Sequence, residues 1–153
     1  MKSRIRFLAI LISVLVLLDS CTFGEKSWKK IENDHFSFSV PESFKKTDRH
    51  GIDSFVGVYL GDGIELGFDY GAYSESFRFW PDGTQYETVK VNRKSARIGT
   101  MPKGTDREHP YYTQIHIEVT KYTALSMHAL CRSEKEVELA KKIFKTIAFK
   151  EKK

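Results

Sequence analysis

The chain carries five histidines (His35, His50, His109, His116 and His128) and two cysteines (Cys21 and Cys131). These residue types serve metal binding, proton transfer and nucleophilic attack. Their spacing here serves none of them. A zinc protease sets two histidines one helical turn apart in HExxH, and zinc modules use CxxC pairs; the chain contains neither. No serine sits in a GxSxG elbow. Gly57, Gly61, Gly63, Gly67 and Gly71 form no GxGxxG or GxxxxGK phosphate loop, so they read as turn and sheet-packing positions. The sequence therefore predicts no cofactor and no metal site.

Two other constellations are candidates. Asp53, Glu65 and Asp69 are carboxylates that a hydrolase acting on envelope polymers would use as acid and base, at a separation of about 5 to 9.5 Å. The densest polar and aromatic run is Phe68-Asp69-Tyr70-Gly71-Ala72-Tyr73-Ser74. Read functionally, it forms a binding patch with Asp53, Tyr59, Glu65, His116 and His128, in which Asp69 accepts hydrogen bonds and Tyr59, Tyr70 and Tyr73 supply contact area. Read structurally, Asp69 and Tyr73 cap a strand end and the aromatics form a second layer under a helix. No RNP-like motif or basic stripe accompanies the aromatics, which argues against a nucleic-acid partner.

Periodicity supplies the elements that must hold these residues. HFSFSV, 35–40, alternates Phe36, Phe38 and Val40 with serines, the pattern of a half-buried strand, and Pro41 ends it before a turn in PESFKK. Residues 54–70 read as a hairpin around a three-residue Gly61-Asp62-Gly63 turn. That turn sets Leu60 against Ile64, Val58 against Leu66 and Val56 against Phe68 on one apolar face. Tyr59 then faces Glu65 on the other side, and Gly57 faces Gly67 across a shallow slot able to accept a ring. Residues 85–92 form a strand with Tyr86 and Val89 or Val91 inward, 95–99 its short partner, and 101–110 an exposed loop.

Strands at 112–119 and 125–131 follow, and their apolar sets face one core only in an even-sum register. Ile115 is expected opposite Ala129, Ile117 opposite Met127, and Val119 opposite Leu125. The same register makes His116 and His128 cross-strand neighbours on the non-core face, as a solvated or covered pair or a weak pH- or metal-sensitive patch. Cys131 shares the core face as a buried inert thiol. Ser133 and Glu136 predict a capping box, opening a helix whose Val137, Ala140 and Phe144, flanked by Leu139 and Ile143, pack on the sheet. A last strand is expected over 147–149. Strands, then a helix, then a strand, without βαβ repetition, predict a single α+β domain with a mainly antiparallel sheet.

The N-terminus gives an address. Lys2, Arg4 and Arg6 precede FLAILISVLVLL, residues 7–18, which is shorter than the roughly 20 apolar residues that span a bilayer. This is the pattern of a removable signal peptide over residues 1–20. Leu18-Asp19-Ser20-Cys21 resembles the lipobox of bacterial lipoproteins, with Leu18, Ser20 and Cys21 on the pattern and Asp19 off it. The resemblance implies diacylglyceryl transfer to Cys21, cleavage before it, and stable membrane attachment through its acyl chains. Thr22, rather than Asp, after the cysteine implies outer-membrane delivery if the organism is diderm. Residues 21–34 are then a lipid-bearing tether and 35–153 the domain. With Cys21 acylated, Cys131 has no partner for a disulfide. The chain is 153 residues long with a formal charge of +5, enough for one domain with a substantial core and only modestly basic.

Both ends of that domain resemble PsbP/Mog1-like domains. HFSFSVPESF, 35–44, matches a strand running into an IPxxW/F-type turn, and EVELAKKIFKTIAF, 136–149, matches the closing helix and TxxF-like strand. The resemblance implies an antiparallel sheet with helices packed against it, in a superfamily of binding and assembly factors that includes lipoproteins. The function expected is thus a lipid-anchored envelope binding or assembly protein using its outward sheet face, with the carboxylate hydrolase as the alternative.

Overall fold

The computed structural model describes residues 27–48 and 54–150. The expected signal peptide over 1–20, Cys21 as the expected lipid-attachment residue, and Asp53 of the expected patch lie outside those residues. Among the described residues, the strands are β1 (Trp28–Glu32), β2 (Phe36–Pro41), β3 (Lys45–Lys46), β4 (Phe55–Gly61), β5 (Ile64–Gly71), β6 (Gln85–Val91), β7 (Lys94–Thr100), β8 (Tyr111–Thr120), β9 (Thr123–Cys131) and β10 (Ala148–Phe149), with one helix, α1 (Glu134–Lys145), between β9 and β10. They form a three-stranded sheet ordered β1-β2-β10 and a seven-stranded sheet ordered β3-β4-β5-β9-β8-β7-β6. Every pairing between them is antiparallel. This is the expected single α+β domain.

The core lies between the two sheets and under α1. Phe36 and Phe38 of β2 meet Phe68 of β5 edge-on, with centroids 5.1 and 6.1 Å apart. Val137, Ala140, Ile143 and Phe144 of α1 are buried in the same cluster as Ile115, Ile117, Leu125 and Met127. Ser133 caps α1 by accepting from the Glu136 amide. The Glu136 carboxylate reaches back one residue further than a capping box requires, to the amide of Arg132. Cys131 is fully buried on the core face, where burial and then the Glu136 charge push its thiol up to about 12. Such a thiol is protonated and inert at neutral pH.

The structure corrects several expectations. Trp28–Glu32, placed in the tether, is an edge strand pairing with β2 from Trp28 opposite Pro41 to Glu32 opposite Ser37. The β4–β5 turn holds two residues rather than three: Gly61 pairs with Ile64 around Asp62 and Gly63, whose φ angles are 50° and 80°. Two consecutive positive φ values match the right-handed twist of a tight hairpin, and Gly63 adopts its value without strain. This one-residue shift reverses the faces of β4. Tyr59 and Gly57 turn into the core, whereas Val56, Val58 and Leu60 turn outward, with Leu60 48% exposed. Gly57 is needed where it lies, since a Cβ there would come within 2.6 Å of the Phe68 ring. The two glycines thus sit on opposite faces, each beneath a different ring.

In the β8–β9 pair, Ile115 faces Met127 and Ile117 faces Leu125, two residues from the expected register. A two-residue Lys121-Tyr122 turn and a bulge between Glu118 and Thr120 together produce that offset. The sum remains even, so each side chain keeps its expected face, but His116 lies opposite Ser126 and His128 opposite Gln114. The histidines are diagonal neighbours. Tyr86 lies on the outer face, and Val91 takes the inward position with Val89 packed beside it.

Candidate binding site on the outer sheet face

The face of the seven-stranded sheet turned away from α1 carries two adjacent rows of paired residues. One runs Val56–Asp69–Ser126–His116–Arg97–Thr88, from β4 to β6. The other runs Val58–Gly67–His128–Gln114–Gly99–Tyr86 across the same strands. Directly opposite residues share a face, so the polar side chains of five different strands meet here.

A turn-rich segment, residues 72–84, lies across the middle of this face. The Glu75 carbonyl accepts from Gln114 Nε2 at 2.9 Å and from the Ser126 hydroxyl at 2.5 Å. The Ser74 hydroxyl lies 2.9 Å from Ser126 Oγ and 3.2 Å from the Asp69 carbonyl. Phe77 and Trp80 settle over Gly99, where a Cβ would meet them at 2.9 and 2.7 Å. Trp80 packs edge-on against Tyr112, which stacks on His128 at 5.8 Å. The aromatic layer on this face is built by Phe77, Trp80 and Tyr112 rather than by the 68–74 run, whose Phe68 and Tyr70 face the core side and whose Tyr73 is exposed.

Covering the face changes its electrostatics. Burial lowers the pKa of His116 from its ordinary 6.5, against the opposing pull of Glu118 and the Glu75 carbonyl. Burial also lowers that of His128, against Glu65, Asp69 and Glu75. Both rings are neutral at neutral pH. Tyr112 is pushed up to about 12 by burial and the nearby Glu75 charge. Asp69 Oδ1 is buried with no hydrogen-bond partner among the described residues.

The structure gathers only part of the predicted patch. Glu65, Asp69, His116 and His128 share the outer face. Tyr59 lies in the core against Phe38, at a centroid distance of 5.6 Å, because the hairpin register reverses its face. Tyr70 also faces the core side, stacked on His35 at 4.5 Å and packed near Phe36. Tyr73 stands free on the covering segment at 84% exposure. Among the described residues, no three His, Cys, Asp or Glu side chains come together as metal ligands.

Three contributors escaped the sequence reading: Arg97, Gln114 and Arg78. The outward alternation of Ser95, Arg97 and Gly99, and of Gln114 with His116, was available as a signal, but it names no partner strand. Where the covering segment stops short, a cleft of about 700 Å³ opens between it and β6–β8, lined by residues including Phe77, Arg78, Thr88, Arg97, His116 and Glu118. The Arg97 guanidinium lies over the Tyr86 ring, 3.9 Å from its centroid, and 5.7 Å from that of Phe77.

No family model and no curated protein matches the sequence. Among solved structures, the chain is similar to the solution structure of cyanobacterial PsbP (CyanoP) from Synechocystis sp. PCC 6803, with a TM-score of 0.56. The match covers 88% of this chain and 99% of that one at 11% sequence identity. What they share is a PsbP-like fold, an antiparallel α+β domain with a C-terminal helix.

Proposed function

We propose that this chain is a binding or assembly module, held at the cell envelope by lipid on Cys21, that works through the outer face of its seven-stranded sheet and catalyses no reaction. The carrying observation is the open cleft on that face. It presents two guanidiniums, Arg78 and Arg97, that have no carboxylate partner among the described residues. Unpaired arginines in a preformed cleft are suited to capture rather than to turnover. The PsbP/Mog1-like outline, a superfamily of binding and assembly factors, supports the same reading. The hydrolase reading is weaker. Glu65 and Asp69 lie four residues apart on one strand, about 14 Å at 3.4 Å per residue, with Gly67 and His128 between them. A glycosidase pair needs about 5 to 9.5 Å.

The anchor rests on Leu18, Ser20 and Cys21, and delivery to an outer membrane, in a diderm organism, on Thr22. One experiment tests both halves. The chain expressed in a bacterium is labelled with palmitate, purified in detergent micelles and sedimented with isolated envelopes. Palmitate incorporation lost in Cys21→Ser, and cosedimentation weakened by Arg97→Gln, are expected. An unlabelled native chain sinks the anchor, and cosedimentation indifferent to Arg97 sinks the outer-face reading.

A further inference from the structure

The cleft at the edge of the covering segment has chemistry specific enough to name its ligand. The Arg97 guanidinium carbon sits 3.9 Å from the Tyr86 ring centroid. A cation–π contact of this kind restrains the guanidinium and leaves N–H donors for an anion, with less side-chain entropy left to lose on binding. Arg78 lines the same cleft beside Phe79, its guanidinium 5.6 Å from that ring.

His116 stands directly opposite Arg97 across the β7–β8 pair, and the hydrogen-bond network fixes which of its nitrogens carries the proton. The Ser126 hydroxyl spends its one hydrogen on the Glu75 carbonyl, which can only accept. Ser126 Oγ must therefore accept in its 2.8 Å contact with His116 Nδ1, so Nδ1 is the protonated nitrogen. In the neutral ring that leaves Nε2 with a free lone pair, as a hydrogen-bond acceptor. The cleft thus sets an oriented cation beside a neutral acceptor, at the 4.5–5.5 Å Cβ spacing typical of directly paired residues.

Glu118, two residues from His116 on the same face, adds a negative charge to the lining. It offsets one of the two arginines. A doubly charged phosphate is thereby disfavoured, whereas a single carboxylate, whose two oxygens match the planar fork of arginine, is not.

We propose that this cleft binds a small carboxylate bearing a hydroxyl or amine on the adjacent carbon, a hydroxy acid or amino acid. Arg97 pairs with the carboxylate, and His116 Nε2 accepts the hydrogen of the neighbouring donor. Glu118 receives a second hydrogen when that donor is an amine. This ligand assignment rests on the outer-face reading above and specifies its ligand.

The test is a titration of the purified chain in detergent micelles with glycolate, glycine, acetate and inorganic phosphate, read by the Arg97 Nε–H and His116 ring resonances. Saturable shifts are expected with glycolate or glycine, with acetate about fivefold weaker for want of the donor. Preference for glycolate identifies a hydroxyl donor, and preference for glycine an amine paired to Glu118. Arg97→Gln should weaken binding roughly tenfold or more. His116→Phe should erase the preference over acetate while leaving acetate binding in place. Acetate equal to both, phosphate tighter than either, or a folded Arg97→Gln chain that binds normally overturns the assignment. Should Arg97→Gln fail to fold, the His116→Phe comparison decides by itself. Envelope cosedimentation that needs Arg97, combined with no preference for glycolate or glycine, would remove the ligand class while leaving the binding module intact.

Discussion

Gly67 of β5 and His128 of β9 stand directly opposite one another, and the imidazole occupies the space that a side chain at position 67 would take. A Cβ built on Gly67 comes within 2.5 Å of His128 Cε1. Neither strand can yield easily, since both lie inside the sheet. Gly67→Ala is therefore expected to cost about 1 to 3 kcal/mol, as overpacked positions do. Adding His128→Ser should recover most of that loss in denaturant melts, giving a coupling of at least about 0.5 kcal/mol. Strictly additive effects would show that the ring does not fill this space.

Phe144 is fully buried where α1 meets the sheet. Phe144→Ala should cost roughly 3 to 5 kcal/mol in the same melts. A loss below about 1 kcal/mol would mean that the helix is not docked as described.

His116 and His128 both have folded pKa values below 6.5, for which burial is the main cause. The unfolded chain therefore binds protons that the folded chain rejects, and stability must fall as the pH drops below about 6.5. Above that value both states hold neutral rings and this contribution is constant. Melts between pH 7.5 and 5 should show the decline, with a shallower slope in His128→Gln. An unchanged slope would locate the acid sensitivity elsewhere.

Cys131 should resist alkylation, because its thiol is buried and pushed up to about 12. Iodoacetamide at pH 8 is expected to leave it unmodified in the native chain and to label it once denaturant opens the core. Rapid native labelling would contradict the burial.

Asp69 Oδ1 has no partner among the described residues, and a buried unsatisfied oxygen commonly costs about 1 to 3 kcal/mol. Asp69→Asn removes the charge at constant shape and should leave the melting temperature unchanged or raised. A clear fall would assign the carboxylate a structural partner.

Local signals made much of this fold legible. Alternating Phe36, Phe38 and Val40 marked β2, Ser133 marked the start of α1, and even-sum pairing put Cys131 in the core and both histidines outside it. The failures have physical causes. WKKIE holds too few apolar residues to announce β1, whose place comes from pairing with β2. In β4 the valines and Leu60 suggested one inward face, but two positive φ values at Asp62 and Gly63 set the register, and the core took Tyr59 instead. The candidate site was less legible than the fold. His116 and Asp69 could be placed on an outer face, yet the Arg97–His116 pairing depends on which strands are neighbours. The covering segment is held by Glu75 carbonyl contacts to Gln114 and Ser126, which no local periodicity encodes.

The pairing of β10 with β2 joins Phe149 to Phe36, almost the full length of the domain apart in sequence. Until residues 148–149 are available, β2 has a partner on only one side, and the aromatic cluster around Phe36 lacks Phe149. Contacts of such long range form late, because closing so large a loop costs entropy before any burial offsets it. The three-stranded sheet is thus completed only once β10, which follows the other described strands, has been made.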